Sequence, residues 1–409
     1  MADEKKIKGA QAVAQMSMQP QELMVEVRRK GGSLSVGIPK ETLFQENRVP
    51  LTPESVAVLV NNGHHVIIQS KAGDNAHIYD TDYSEAGAEI ALTNEEVYKK
   101  ANIILKSGPP VPEEINLMGM NQTLISPIHL PTLQQDTIHQ LMNKKITALA
   151  FEYIKDASHM FPIVRSMSEI AGNTSVLIAA EYLGNRKDGK GVLLGGITGV
   201  PPASVVILGA GTVGEYAART ALGLGAEVKI FDNSIYKLKQ LQNNIGHRVY
   251  TSIFHQHTLA SALKHADVAI GAIHSKSGST PLLVTEDMVS NMKAGSVIID
   301  VSIDQGGCFE TSEVTSHDKP FFKKYDVIHY CVPNIASRVP RTASIAISNV
   351  LTPVLLESAN FGGFEKLLYM NECTRHGVYI YKGSLTNYHL SQHFKIKYTD
   401  LNLLFTASF

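Results

Sequence analysis

The stretch that most limits what this chain can fold into is residues 205–232, VVILGAGTVGEYAARTALGLGAEVKIFD. Its first four residues form a short apolar run, the right length for a parallel strand buried on both faces. Gly209, Gly211 and Gly214 follow as G-x-G-x-x-G, with Thr212 and Val213 inside the turn. Residues 215–224 place Ala217, Ala218, Ala221 and Leu222 on one helical face, and Gly225 suits the stop. A second strand, 228–231, ends in Asp232. Each part has a physical task. Gly209 permits the tight turn, Gly211 leaves the backbone open to a pyrophosphate, and Gly214 lets helix and strand pack closely. The helix N-terminus supplies free N–H groups and partial positive charge. Asp232 is placed to accept hydrogen bonds from ribose hydroxyls, and its charge would repel a 2′-phosphate. A glycine-rich turn alone occurs in many α/β domains. Strand, turn, helix, strand and terminal acid in this order predict a dinucleotide site that takes NAD rather than NADP.

The remaining chain is long enough for more than that unit: 409 residues imply two or three domains. A 44% hydrophobic, 18% charged composition is that of a globular protein, and a net charge of −1 gives no electrostatic footprint for nucleic acid. Cys308, Cys331 and Cys373 are far apart and make no metal-ligand spacing, so no metal site is expected, and they suit a reducing cytoplasm. No apolar run reaches transmembrane length and the first ten residues hold no signal-peptide core, so no membrane segment is expected in the chain itself.

Residues 1–34 read as an N-terminal extension, with a short helix possible at 21–27. From 35 to about 152, strand-like runs at 35–38, 65–69, 103–106, 123–128 and 146–151 alternate with helical stretches at 53–62, 94–100 and 133–144, capped by Thr52, Thr93 and Thr132. A long helix spans 161–183, and a glycine-rich loop or hairpin at 191–203 leads to the cofactor strand. Further strands at 249–253, 268–273, 297–301 and 327–332 bring the second unit to six, before a second long helix at 343–357. The pattern predicts an α/β protein of two doubly wound Rossmann-like domains with a cleft between them. The expected boundaries are 35–162 with 341–409 for a discontinuous substrate domain, and 163–340 for an inserted NAD domain.

Several stretches carry a family resemblance: GIPKE (37–41), ENRVPLTP (46–53), KAGDNAHIYDTDYSEAGAEI (71–90), MSEIAG (167–172), GVPPASVVILGAGTVGEYAA (199–218), DVSIDQGGCFETSEVTSHDKP (300–320) and HYCVPNIASRVPRTAS (329–344). In these the chain resembles the alanine dehydrogenase and transhydrogenase NAD-subunit family, collinearly over about residues 35–390. The resemblance implies NAD-dependent oxidative deamination of L-alanine to pyruvate and ammonium, a small amino acid or 2-oxo acid substrate, and a homo-oligomer, hexamer or dimer. Two rival readings are the NAD-binding alpha subunit of a proton-translocating transhydrogenase and a non-catalytic NAD- or amino-acid-binding module.

Oxidising an amino acid at its α-carbon requires a grip on the carboxylate, proton transfers and an attacking water. Arg48 matches the family's carboxylate-binding arginine, and a guanidinium fork can hold a carboxylate through two bonds. His129, at a strand end, matches the active-site histidine, suited to general acid–base work. Asp304, in the IDQGG turn, matches the aspartate near substrate and nicotinamide ribose. A structural reading stands beside each: an ion pair for Arg48, one surface histidine among 16 for His129, an Asx-turn for Asp304. Where the family has lysine–x–lysine–glutamate–proline, this chain reads Lys106-Ser107-Gly108-Pro109-Pro110. Lys106 matches the first lysine, a candidate substrate ligand; the second, which meets substrate in relatives, falls on Gly108. By the same match, Ser168 is a phosphate contact, Lys237 flanks the adenosine ribose, residues 273–275 border the nucleotide, and Asn334 lies near the nicotinamide. Glu152 reads mainly as structural.

Overall fold

The computed structural model describes residues 32–43, 45–129, 133–184, 189–275 and 280–408. The expected helix at 21–27, nearly all of the extension 1–34 and the Thr132 cap lie outside them. The strands in chain order are β1 (Ser35–Ile38), β2 (His65–Gln69), β3 (Glu89–Ala91), β4 (Ile103–Leu105), β5 (Thr123–Ser126), β6 (Thr147–Ala150), β7 (Ser204–Leu208), β8 (Glu227–Phe231), β9 (Tyr250–Ser252), β10 (Val268–Gly271), β11 (Val297–Asp300), β12 (Phe321–Lys324), β13 (Val327–Tyr330), β14 (Val378–Tyr381) and β15 (Ser384–Leu385).

They form two sheets, ordered β15-β14-β6-β5-β4-β1-β2-β3 and β12-β13-β11-β10-β7-β8-β9. β1 to β6 are mutually parallel, as are β7 to β11 with β13. The central strands are apolar and buried along their length, because helices cover both faces. Each chain segment starts at a central strand, winds to one edge, then crosses to the other side. The order therefore reverses between β1 and β4 in the first sheet, and between β7 and β10 in the second. Ligands of doubly wound sheets bind at the strand C-terminal ends beside such reversals.

Three edge features exceed the sequence expectation. β12 pairs antiparallel with β13, giving the second sheet seven strands rather than six. β14 pairs antiparallel with β6, and β15 with β14, so the first sheet is completed by the chain's far end. β3 is three residues long, too short for alternation to show.

Two long helices link the sheets. Pro162–Leu183 follows β6 and its 3₁₀ turn; Pro340–Asn360 follows β13. The first packs on Thr212–Gly223, the helix after the glycine turn, at a point where only glycine fits: a Cβ on Gly172 would lie 2.5 Å from the Val213 carbonyl oxygen. The second is apolar and long enough to cross a membrane, yet half of its apolar window is buried, with Ile347, Leu351, Val354 and Leu355 in the core of the first sheet.

Candidate active site

The nucleotide half of the site is set by backbone. Gly209 has φ 113°, and a Cβ there would sit 2.4 Å from the Ala272 carbonyl oxygen. A Cβ on Gly214 would lie 1.9 Å from the Gly209 carbonyl oxygen, so this turn closes only on glycine. Above Gly211 nothing lies within 4 Å of where a Cβ would stand. That open backbone, with the Thr212–Gly223 helix starting beside it, is a cradle of the shape a pyrophosphate needs. The helix starts at Thr212, earlier than the expected 215, because Gly211 serves as its N-cap and Thr212, Val213 and Gly214 form its first turn. Asp232 directly follows β8 and is buried; one carboxylate oxygen accepts from the Ala210 N–H (2.8 Å), the other from the Ser234 N–H (2.7 Å). It thus braces the glycine turn, with further lone pairs left for hydroxyls. Ser234 caps the Ile235–Ile245 helix through the Lys237 N–H, and the exposed Lys237 lies close enough to His274 for its charge to help burial lower that imidazole's pKa. Ser168 lies one turn before Gly172, on the same face of its helix.

The second half comes from strand ends. Arg48 follows β1, His129 follows β5, Asp304 follows β11 in the 3₁₀ turn Val301–Gln305, and Asn334 follows β13. Arg48 donates Nε to Glu46 Oε1 (2.7 Å) and an Nη2 hydrogen to Glu46 Oε2. Its outer edge is only weakly engaged, toward the Ser107 carbonyl (3.4 Å) and Met167 Sδ (3.5 Å). Burial works to lower the guanidinium's pKa, but the charge and hydrogen bonds of Glu46, with the charges of Glu41 and Asp304, together hold it above its ordinary value. Asn334, in the left-handed region at φ 54°, bridges two acids: its N–H donates to Asp304 Oδ1 (3.0 Å) and its Nδ2 to Glu46 Oε2 (3.0 Å). Asp304 is crowded within the cleft, which raises its pKa, while the Asn334 N–H and the charges of His129 and Arg48 pull it down. Arg48, His129, Asp304 and Asn334 therefore meet in one place between the two sheets.

His129 has φ 42°, an uncommon backbone state for a residue with a Cβ. Glu152, in the 3₁₀ turn after β6, holds it there: Oε1 accepts from the Ile128 N–H (2.7 Å), and the His129 N–H also points to this carboxylate. Burial pushes Glu152 up to about 7.

Lys106 is placed behind the site. Its ammonium is fully buried, 2.8 Å from Glu41 Oε2 and 2.8 Å from Glu114 Oε1. Those two carboxylates hold its pKa up against burial. Glu41 also accepts from the Ser107 N–H (2.6 Å) and Gly108 N–H (3.2 Å), so lysine and carboxylate together shape the turn. A Cβ on Gly108 would point between Glu41 Oε2 (3.1 Å) and Leu43 Cδ2 (3.4 Å).

This geometry can be set beside known proteins. Residues 37–171 match the N-terminal domain model, and residues 175–388 the C-terminal domain model, of the alanine dehydrogenase/PNT family. The chain belongs to that family. It is 39% identical to the alanine dehydrogenase of Mycolicibacterium smegmatis, over 89% of this chain and 98% of the relative. It is 40% identical to that of Methanococcus maripaludis, over 89% and 97%. A solved L-alanine dehydrogenase superposes with a TM-score of 0.83 at 38% identity, covering 88% of this chain and 99% of that one. A transhydrogenase from Sinorhizobium meliloti does so with a TM-score of 0.72 at 25% identity, over 87% and 99%.

Sequence reasoning passed over Glu46, Glu41 and Glu114. Glu46 stands two residues before Arg48 in the quoted ENRVPLTP block, and an acid so close to a candidate ligand was a usable signal. Glu41 and Glu114 were not recoverable that way, since they reach Lys106 from separate segments. Glu152 is structural as expected, but its structural task is to hold the backbone of His129.

Proposed function

We propose that this chain is an NAD-dependent L-alanine dehydrogenase, converting L-alanine and water to pyruvate and ammonium, and the reverse. The observation that carries the reading is the convergence of Arg48, His129 and Asp304 beside the glycine turn, in a chain so similar to alanine dehydrogenases over most of its length. The open backbone at Gly211 fits NAD, with Asp232 and Lys237 at its ribose end and Ser168 near its phosphates. Bound there, NAD supplies the hydride acceptor.

The chain's residues do the rest. The outer edge of Arg48 takes the substrate carboxylate, its inner edge being held by Glu46. A grip through two charge-assisted bonds fixes the direction of the Cα–H bond. Asp304 orients the attacking water, and His129 moves protons to and from the oxygen that becomes the keto group. Lys106 pairs with both Glu41 and Glu114 and so shapes the substrate side from behind, without touching substrate. We place the enzyme in the cytoplasm, and as a homo-oligomer; the exposed Leu193, Ile197, Val200 and Leu224 support the second of these. Gly108, where the family's second lysine would stand, favours the transhydrogenase-subunit reading; Arg48 and His129 favour the dehydrogenase.

Purified protein given L-alanine and NAD at alkaline pH is expected to form NADH, and Arg48→Ala to lower kcat/KM at least about tenfold, about 1.4 kcal/mol. Absence of turnover with tight NADH binding would replace this reading with the binding module.

A further inference from the structure

Arg48 sits in residues 46–52, a segment that belongs to no helix or strand although much of it is buried. Buried backbone N–H groups need partners, and here three serines provide them. The Asn47 N–H donates to Ser337 Oγ (3.0 Å), the Val49 N–H to Ser344 Oγ (2.9 Å) and the Thr52 N–H to Ser348 Oγ (3.0 Å). All three serines are fully buried. Ser344 and Ser348 are four apart on one face of the Pro340–Asn360 helix, and Ser337 lies in the 3₁₀ turn before it. Two of the hydroxyls also donate: Ser337 to the Gln45 carbonyl (2.8 Å), Ser348 to Ser55 Oγ (2.7 Å).

The alternation of an extended chain explains the layout over residues 47–49; past Pro50 the chain turns into the Pro53–Asn61 helix, and the Thr52 N–H at its entrance faces the serines again. The N–H groups of residues 47 and 49 point one way, into the serines; that of residue 48 points the other way, to Glu46 Oε1 (3.1 Å). Pro50 has no N–H to satisfy. Slipping the segment by one residue would break every rung and carry Arg48, together with Glu46, out of register with Asn334. We propose that Ser337, Ser344 and Ser348 are positioning residues for substrate recognition: a hydroxyl ladder that sets the register of Arg48 on the helix entering from the NAD-binding sheet. This rests on the assignment of Arg48 to the substrate carboxylate.

The test compares steady-state constants for alanine and for NAD in the wild type, Ser344→Ala, Ser348→Ala, Ser358→Ala and Arg48→Ala, with Ser344→Ala also made in the Arg48→Ala background. Ser358 is the control: it is fully buried on the same helix, but its hydroxyl has no partner among the described residues. Orphaning the Val49 N–H is expected to raise KM for alanine about tenfold, with KM for NAD within about twofold. In the Arg48→Ala background the same serine change is expected to add little, because the group it aims is gone. Ser358→Ala is expected to match the wild type. Should Ser344→Ala fail to fold, Ser348→Ala carries the same comparison. Equal rises in KM for alanine and NAD, no rise at all, or full additivity with Arg48→Ala would overturn the ladder. An unchanged KM for alanine in Arg48→Ala itself would overturn the functional reading beneath it.

Discussion

Glu152 shows how one side chain links stability to the catalytic geometry. Its Oε1 is committed to the backbone before His129, while Oε2 has no partner among the described residues and is the natural seat of a proton. The folded carboxyl titrates at about 7, raised from 4.5. Between those values the folded chain holds a proton that the unfolded chain has released, so stability falls as pH rises through the window. The full loss, reached above the folded pKa, is at most about 3 kcal/mol. Glu152→Gln keeps the acceptor and removes the titration. Its stability relative to the wild type is therefore expected to improve by about 1–3 kcal/mol between about pH 5 and about pH 8. Denaturant midpoints at the two pH values check this; a difference independent of pH would place the carboxyl's proton elsewhere. Arg48 was legible as a residue because its surrounding motif was. The bridge from its partner Glu46 to Asn334 was not, since the bridging residue lies far away in sequence.

At the scale of elements, the junction between the Pro162–Leu183 and Thr212–Gly223 helices is set by a missing Cβ. Gly172→Ala would bring a methyl group to 2.5 Å from the Val213 carbonyl oxygen and 2.8 Å from Tyr216 Cβ. Both neighbours belong to a helix and cannot swing aside, so the helices must separate. A cost of about 1–3 kcal/mol is expected, with weaker NADH binding because the displaced helix begins at the phosphate turn. Thermal unfolding and NADH fluorescence titration measure the two effects, and wild-type values in both would refute the close approach. The sequence showed a glycine in MSEIAG without showing what it faced; the strands β1, β2, β4, β7, β8 and β10 were legible because buried parallel strands read as apolar runs.

For the molecule as a whole, the first sheet depends on a segment from the chain's far end. The Ala150 N–H donates to the Gly377 carbonyl (2.8 Å) and β14 covers the edge of β6, the strand that leads into Glu152. Removing residues 378–409 is expected to abolish alanine turnover, while NADH binding at the second sheet stays within about tenfold, since neither β14 nor β15 touches that sheet. Retained turnover, or loss of NADH binding together with it, would contradict this division of labour.

The sequence by itself determined what is local: apolar runs of strand length, helix periods and the three glycines whose spacing builds the phosphate turn; the candidates Arg48, His129 and Asp304 came through the family resemblance of their motifs. Tertiary structure alone decided how charge is balanced around them. Lys106 looks like a substrate ligand in the chain and is enclosed by two carboxylates in the fold. The physical reason is that a buried ion pair, a hydroxyl rung or a shared oxygen belongs to two segments at once, and its partner's identity is a property of the packing.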